Sequence, residues 1–272
     1  MIYIRQDLRQ LFENFRTIDD FLRIEIETVR DFKNRKTGRF TLGQKSFYIK
    51  KHFPAGLGAV LNELFHLRKP HIGAAHEKSA LDRLAELGID TMKVAAFGHD
   101  DAPITKQRSF LITDELADVD SLEDICARWP QQPPPPQFEK ALIEKVACIA
   151  RTIHSNGMNH RDFYLCHFLL DTAGGPQAYQ NCPPKVYLID LHRLQQRSSL
   201  PFRWQVKDIG GLYFSAMDIG LSRRDVFRFI RSYTRVPLRK TLTDNKRFWR
   251  AVRRRAVRTY RKEFGKPPAP PL

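Results

Sequence analysis

The chain has 272 residues, 42% of them hydrophobic and 11% aromatic, which is enough for a sizeable core and excludes a disordered chain. Its 46 Lys and Arg against 30 Asp and Glu leave a net charge of +16, which calls for an anionic partner: nucleic acid, a membrane face or a phosphorylated ligand. The amino-terminal MIYIRQDLRQLF is soon broken by charge, and no apolar run reaches the roughly 20 residues that span a bilayer. Cys126, Cys148, Cys166 and Cys182 form no CxxC pair, so the expectation is a cytoplasmic, reduced protein with free thiols.

The first part reads as strands. TVRDFKN, GRFTL and SFYIKKH are short and rich in β-branched or aromatic residues, and TLGQKSF supplies a glycine turn between the last two. AGLGAVLNELFHL and AAHEKSALDRLAEL have helical spacing, separated by the breaker RKPHIG. MKVAAFG and SFLITDEL return to strand character. WPQQPPPPQ is a stiff connector between two helices, since consecutive prolines favour an extended segment. Phe138, Leu142, Val146, Ile149 and Ile153 then mark a buried helix stripe that Gly157 is placed to end. FLL and VYLI form a hairpin with the long loop DTAGGPQAYQNCPPK. From Val206 to Phe264 the chain reads as largely helical, with a Pro-rich tail after it and no internal repeat. Strands with inserted helices followed by a helical remainder predict two lobes of different class.

The hairpin brings chemistry together. Asp162 precedes strand FLL and Asp190 closes VYLI, so antiparallel pairing returns one carboxylate beside the other, with His167 between them in the sequence. Two adjacent acids are costly unless a cation or proton separates them. A helix ending in glycine, then His160-Arg161-Asp162, a hairpin and a strand-closing aspartate, is the order of the protein kinases. The kinase pattern H-R-D-x-x-x-x-N has His167 in place of its asparagine here, and Asp190-Leu191-His192 replaces D-F-G.

Such an enzyme needs a strand lysine for the nucleotide phosphates and a helix glutamate that positions it. Lys50 ends SFYIK, and Lys51 follows it, so a one-residue slip would exchange them. Glu77, Leu81 and Leu84 recur at helical spacing, which puts the glutamate on an inward face where a lone carboxylate is expensive. A pair with Lys50 would explain that placement; an ordinary surface pair is the alternative. No G-x-G-x-x-G loop is present, and Gly38 in NRKTGRF, flanked by basic residues, is the candidate to cover phosphate. In ITDEL the backbone at Glu115 and Leu116 would form the hinge that bonds adenine.

Taken together, SFYIKKH, GIDTMKVAAFG, SFLITDEL, NGMNHRDFYLCHFLLD, LIDLHR and KDIGGLYFSAMDIGLSRRDVFRF resemble the lipopolysaccharide core heptose kinases of the WaaP/RfaP type, within the protein-kinase-like superfamily. The resemblance runs from about Gly38 to Tyr233 and includes His167 in place of asparagine. It implies an α+β, bilobal protein-kinase-like fold. A small strand-rich lobe would span residues 1–116, a larger mainly helical lobe 117–265, and a Pro-rich tail 266–272. It also implies ATP-dependent phosphorylation of an inner-core heptose, the first heptose at its 4-hydroxyl. Asp162 would then orient the sugar hydroxyl and accept its proton, and Asp190 would bind Mg²⁺, a hard ion suited to carboxylate oxygen. His167 stands at a second-metal position, with a hydrogen-bonding role as the alternative because imidazole suits Mg²⁺ poorly. Asp208 resembles the buried acid that steadies the HRD loop. Rival readings are another acceptor, the second heptose or the eight-carbon acidic sugar, and a catalytically silent kinase-like binding module.

Other residues carry plainer readings. His160 is a packed, hydrogen-bonded histidine and Arg161 a scaffold ion-pair residue. His160, Cys166, His167 and Cys182 have zinc-ligand chemistry, but no spacing matches a structural zinc pattern. KRFWRAVRRRAVRTYRKEF places Phe248, Val252, Ala256, Tyr260 and Phe264 at steps of four, an apolar stripe with arginines on the remaining faces. That helix would pack on the second lobe and offer its basic side to anionic lipid at the cytoplasmic face of the inner membrane, where a lipid-linked core acceptor is found. No nucleic-acid-binding motif is present, so nucleic acid is not an expected partner.

Overall fold

Alternating burial along strand β4 (Lys45–His52) divides the residues that build the first unit: Phe47, Ile49 and Lys51 are buried, while Tyr48, Lys50 and His52 are only partly so. This period of two is what an antiparallel strand imposes. The strand is central in a six-stranded antiparallel sheet ordered β1-β5-β6-β4-β3-β2. The others are β1 (Ile2–Ile4), β2 (Glu27–Phe32), β3 (Arg35–Leu42), β5 (Val94–His99) and β6 (Ser109–Asp114). Gly43, at φ 61°, takes the left-handed conformation that the tight turn between paired Leu42 and Lys45 requires. The computed structural model describes residues 1–32, 34–54, 74–103, 106–175 and 183–268. The helix expected for AGLGAVLNELFHL and much of the long hairpin loop lie outside these.

One face of the sheet is covered by an aromatic cluster. Phe12, Phe21, Phe40, Phe47 and Phe110 are buried with Ile49 and Ile112, and Phe21 stacks on Phe110 at a centroid separation of 4.1 Å. Phe21 is delivered by α1 (Ile18–Arg23), whose start is set by a reciprocal cap. Asp20 N–H donates to Thr17 Oγ1 at 3.2 Å and Thr17 N–H to the Asp20 carboxylate at 2.7 Å. Helix α2 (Ala74–Glu86) buries Glu77, Leu81 and Leu84, the three positions the helical spacing singled out. Met1–Glu86 and Thr91–Leu116 make up this unit, whereas Leu87–Asp90 belong with the second. Asp90 explains the departure: its carbonyl accepts Leu188 N–H at 2.9 Å and its carboxylate pairs with Lys145 at 3.2 Å.

The second unit is mainly helical. Helix α3 (Leu122–Cys126) follows the short strand β7 (Val119–Ser121). Then α4 (Pro136–Ser155) begins on the last residue of the proline run, where a missing N–H costs nothing. Its stripe of Phe138, Leu142, Val146, Ile149 and Ile153 is buried. Gly157 follows its last turn at φ 71°, and a Cβ there would meet the Arg197 carbonyl oxygen at 1.9 Å, so only glycine fits. The hairpin forms as read: β9 (Phe168–Asp171) pairs antiparallel with β10 (Val186–Leu188), and β9 also pairs with β7. A second small ribbon joins β8 (Met158–Asn159) to β11 (Gln195–Gln196), so the segments around Asp162 and Asp190 are tied together twice.

Helices α5 (Phe202–Ser215), α6 (Arg223–Thr234), α7 (Leu238–Asp244) and α8 (Lys246–Phe264) complete the unit. Along α8, Phe248, Val252, Ala256 and Tyr260 are buried, but Phe264 is 52% exposed, so the apolar stripe stops one step earlier than its spacing implied. Phe264 lies in the last turn, where its ring stacks on Phe214 at 6.2 Å and tilts against Tyr260 at 4.6 Å while its other side stays open to solvent.

Candidate active site

In the first unit the strand register decides between two lysines. Lys51 points with Phe47 and Ile49 into the aromatic face, where its ammonium donates to the Ile24 carbonyl at 2.5 Å and burial lowers its pKa. Lys50 points the other way and forms an ion pair with the buried Glu77 carboxylate. The pair couples β4 to α2 and gives the inward glutamate the cation that a buried carboxylate requires.

The remaining first-unit candidates are Gly38, Glu115 and Leu116. Gly38 is a mid-strand residue of β3 paired with Ile49, not part of a loop, and an added Cβ would meet the Glu27 carbonyl at 2.7 Å and Ile26 at 2.8 Å. Its lack of a side chain is therefore accounted for by close packing. Glu115 donates its N–H to the Ser46 carbonyl at 3.1 Å, and its carboxylate receives Arg39 Nε at 2.8 Å and Nη2 at 2.9 Å. Arg39 holds the Glu115 carboxyl below the usual carboxylate range. Glu115 is thus a strut at the end of β6, with its own N–H already used. Leu116 follows it, half-buried.

In the second unit one buried acid organises the HRD segment. The Asp208 carboxylate, wholly buried on α5, accepts the backbone N–H of His160 at 2.7 Å and of Arg161 at 2.9 Å. It also faces His154 Nε2 at 3.4 Å. This anchors a turn in which Arg161 adopts φ 76°, a left-handed conformation that a non-glycine residue holds only when its surroundings enforce it. The Arg161 guanidinium stands 5.4 Å from the Trp204 ring centroid. His160 is buried, its Nε2 bonded to the Ile189 carbonyl at 2.9 Å. Burial outweighs the pull of that carbonyl and of Asp208, and holds the imidazole below its ordinary range.

The hairpin then brings Asp162, His167 and Asp190 together. His167 Nδ1 lies 2.6 Å from the Asp162 carbonyl, which can only accept, so that nitrogen carries the proton. Its Nε2 is left facing the Asp190 carboxylate at 3.5 Å. The imidazole is therefore bonded to the backbone of one aspartate and stands next to the side chain of the other. Asp190 sits at φ 61°, ψ 55°, at the end of the hairpin, and His192 Nδ1 approaches its other oxygen at 2.5 Å. The Asp162 carboxylate is held by Arg193, whose Nη1 reaches both oxygens at 2.9 and 2.8 Å. Arg193 received no role from the sequence; its position three residues after Asp190, on the segment the hairpin returns, was the available signal.

Metal-ligand chemistry at this cluster is limited. Among the described residues no group of three or more His, Cys, Asp or Glu side chains could hold an ion. Cys166 is a free thiol that burial pushes up to about 11, and Cys182 lies outside the described residues. One carboxylate, Asp190, does suit Mg²⁺, which takes most of its octahedral shell from water and phosphate oxygen.

A family model described as the lipopolysaccharide kinase (Kdo/WaaP) family matches residues 19–233. The lipopolysaccharide core heptose(I) kinase WaaP of Escherichia coli K12 is 40% identical over 243 residues, covering 89% of this chain and 91% of that protein. The chain belongs to the lipopolysaccharide kinase (Kdo/WaaP) family. The heptose(I) kinase WaaP of Pseudomonas aeruginosa is 39% identical over 234 residues, 86% of each chain. A solved structure titled "WaaP in complex with acyl carrier protein" superposes with a TM-score of 0.80 at 35% identity, covering 96% of this chain and 99% of that one. As a Kdo/WaaP family member the protein has the α+β protein-kinase-like fold and is an ATP-using phosphotransferase.

Proposed function

We propose that this protein transfers the γ-phosphoryl group of ATP to the 4-hydroxyl of the first heptose of the lipopolysaccharide inner core. The observation that carries the reading is the Asp162–His167–Asp190 cluster, supported from behind by Asp208. Asp162 orients the acceptor hydroxyl and takes its proton as the new oxygen–phosphorus bond forms and the bond to the ADP oxygen breaks. Arg193 keeps the Asp162 carboxylate in one orientation. Asp190 would hold Mg²⁺, which neutralises phosphate charge when bound. His167 steadies the Asp162 backbone through its Nδ1–H and lines the side of Asp190. In the first unit Lys50, positioned by Glu77, takes the nucleotide phosphates, and the backbone around Glu115 and Leu116 receives the adenine.

The test is incubation of purified protein, ATP and Mg²⁺ with lipid-linked core lacking heptose phosphate, followed by mass-spectrometric mapping of the product. Phosphate is expected on the first heptose and lost with Asp162→Asn and Asp190→Asn. Phosphate on the second heptose or the acidic sugar would reassign the acceptor, and retained transfer in Asp162→Asn would remove the base assignment.

An acyl carrier protein is the partner of the similar WaaP structure, and one feature favours extending it here. The second unit has an apolar cavity of about 380 Å³ bordered by Leu142, Ile143, Val146, Leu212, Ile230 and Val252. Such a lining suits an alkyl chain. No described helix is long and apolar enough to cross a membrane. We place the protein at the cytoplasmic face of the inner membrane, with the basic side of α8 against anionic lipid.

A further inference from the structure

The second unit gathers positive charge on one indole. Trp204, on α5, has four cations within 5.2–5.8 Å of its ring: Arg161 at 5.4 Å, Arg197 at 5.5 Å, Arg203 at 5.2 Å and Lys207 at 5.8 Å. The group adjoins the reaction centre by two covalent links. Arg161 precedes Asp162, and Lys207 precedes Asp208, whose carboxylate holds the His160 and Arg161 N–H groups.

A structural stack would need at most one cation on each ring face, since cations on one indole repel each other. Among the described residues no carboxylate forms an ion pair with Lys207, Arg197 or Arg203. Arg197 is instead held by two neutral amides, Asn159 Oδ1 at 2.7 Å and the Gln195 side chain, which position its fork without cancelling its charge. Lys207 is half-buried and has no hydrogen-bond partner among the described residues. Its ammonium is held below the ordinary lysine range, chiefly by burial; Asp162 pulls it back up, and Arg193 and Arg161 push it further down. Arg197 is lowered by burial and by Arg203. An anion placed there would relieve both the repulsion and the missing hydrogen bonds.

We propose that Lys207, Arg203 and Arg197, gathered on Trp204 beside the Asp162 loop, form a subsite for an anionic group of the acceptor, a carboxylate or a phosphate. Arginine forks and a lysine point charge are the donors that recognise such oxygens. The subsite would fix which hydroxyl of the acceptor is presented to Asp162. It rests on the sugar-kinase reading above.

The test measures steady-state transfer by full-length wild type, Lys207→Met, Arg203→Gln and the charge-retaining Lys207→Arg. Each is assayed with intact lipid-linked core, with core whose carboxylates have been converted to amides, and with dephosphorylated core. Each neutralising variant should raise the KM for intact core about tenfold and shift the KM for ATP less than about twofold, with Lys207→Arg restoring most of the loss. The penalty should vanish on whichever stripped acceptor lacks the recognised group, which tells carboxylate from phosphate. Arg203 is exposed, so Arg203→Gln keeps the test valid if Lys207→Met folds poorly. An unchanged acceptor KM in Arg203→Gln and Lys207→Arg's parent substitution, a rise confined to ATP, or a penalty that persists on both stripped acceptors would overturn the proposal. Absence of transfer by wild type would overturn the sugar-kinase reading, and this subsite with it.

Discussion

The Asp208 carboxylate accepts the backbone N–H of His160 at 2.7 Å from a helix 48 residues further along the chain, and the next N–H, of Arg161, at 2.9 Å. Both donors are turned inward by a turn whose Arg161 is left-handed, so neither has a neighbouring carbonyl in a regular ladder to fall back on. Asp208→Ala leaves them unsatisfied and should cost about 2–6 kcal/mol, because each orphaned buried group costs about 1–3. Asp208→Asn keeps one acceptor oxygen and should cost less. Trp129, Trp204 and Trp249, the three tryptophans of the chain, all fall in the second unit, so denaturation followed by tryptophan fluorescence reads this unit alone. Equal stability of Asp208→Ala and wild type would show that the turn does not depend on the acid.

Lys50 and Lys51 should separate activity from stability. Lys50→Met removes the partner of Glu77 and, on the proposed role, the cation at the nucleotide phosphates; transfer should fall by roughly a hundredfold or more. Lys51→Met keeps the buried alkyl stem and loses one hydrogen bond to Ile24, so it should cost about 1 kcal/mol of first-unit stability with transfer near wild type. The reverse pattern, with Lys51→Met inactive and Lys50→Met active, would move the nucleotide contact to the buried lysine.

These lysines also show how far the residues alone could be read. The choice between them needed a register, and the register follows from Phe47 and Ile49 joining one apolar face, which leaves every second residue on the other. Periodicity was equally sufficient for the α4 stripe, for Glu77 beside Leu81 and Leu84, and for the hairpin that returns Asp190 to Asp162. What escaped were contacts made by tertiary reach. β1 has only three residues and exists because Tyr3 pairs with Phe97 across the sheet; nothing local marks it as a strand. Arg39 on Glu115 is a long side chain meeting a distant acid, and sequence spacing carries no trace of it; for Arg193 on Asp162 the only trace is its place three residues after Asp190. Gly38 stood out as a phosphate-covering candidate because it is a glycine flanked by basic residues, whereas here it admits the backbone of Glu27 to a strand.

His160 makes stability fall in mild acid. Its folded-state pKa lies below the ordinary imidazole value because burial disfavours the charged ring. As pH drops through about 6.5 the unfolded chain takes up a proton that the folded one refuses, so protons favour unfolding. The stability is present above that pH and is lost progressively below it. His160→Gln, which can still donate to the Ile189 carbonyl, removes this titration. Thermal midpoints from pH 7.5 to 5.5 should decline more steeply in wild type than in the variant; parallel slopes would mean the buried histidine does not carry the acid sensitivity.

The basic side of α8 is available only in part. Arg255 is half-buried, and its Cδ would lie 2.8 Å from a Cβ added to Gly210, so this arginine packs over α5. Arg253 borders the apolar cavity. Arg250, Arg254, Arg258 and Arg261 are all exposed and recur at three- and four-residue steps, which aligns them on one solvent face. Basic residues near an anionic bilayer contribute about 1 kcal/mol each, so replacing all four with glutamine should weaken vesicle binding by up to roughly a thousandfold at low ionic strength. Flotation with vesicles containing anionic phospholipid measures this directly. The difference between variant and wild type should shrink as salt shortens the reach of the charges. Tryptophan-monitored unfolding of the quadruple variant should match wild type, because none of the four side chains is buried. If binding persists undiminished in that variant, the helix serves only to close the core through Phe248, Val252, Ala256 and Tyr260.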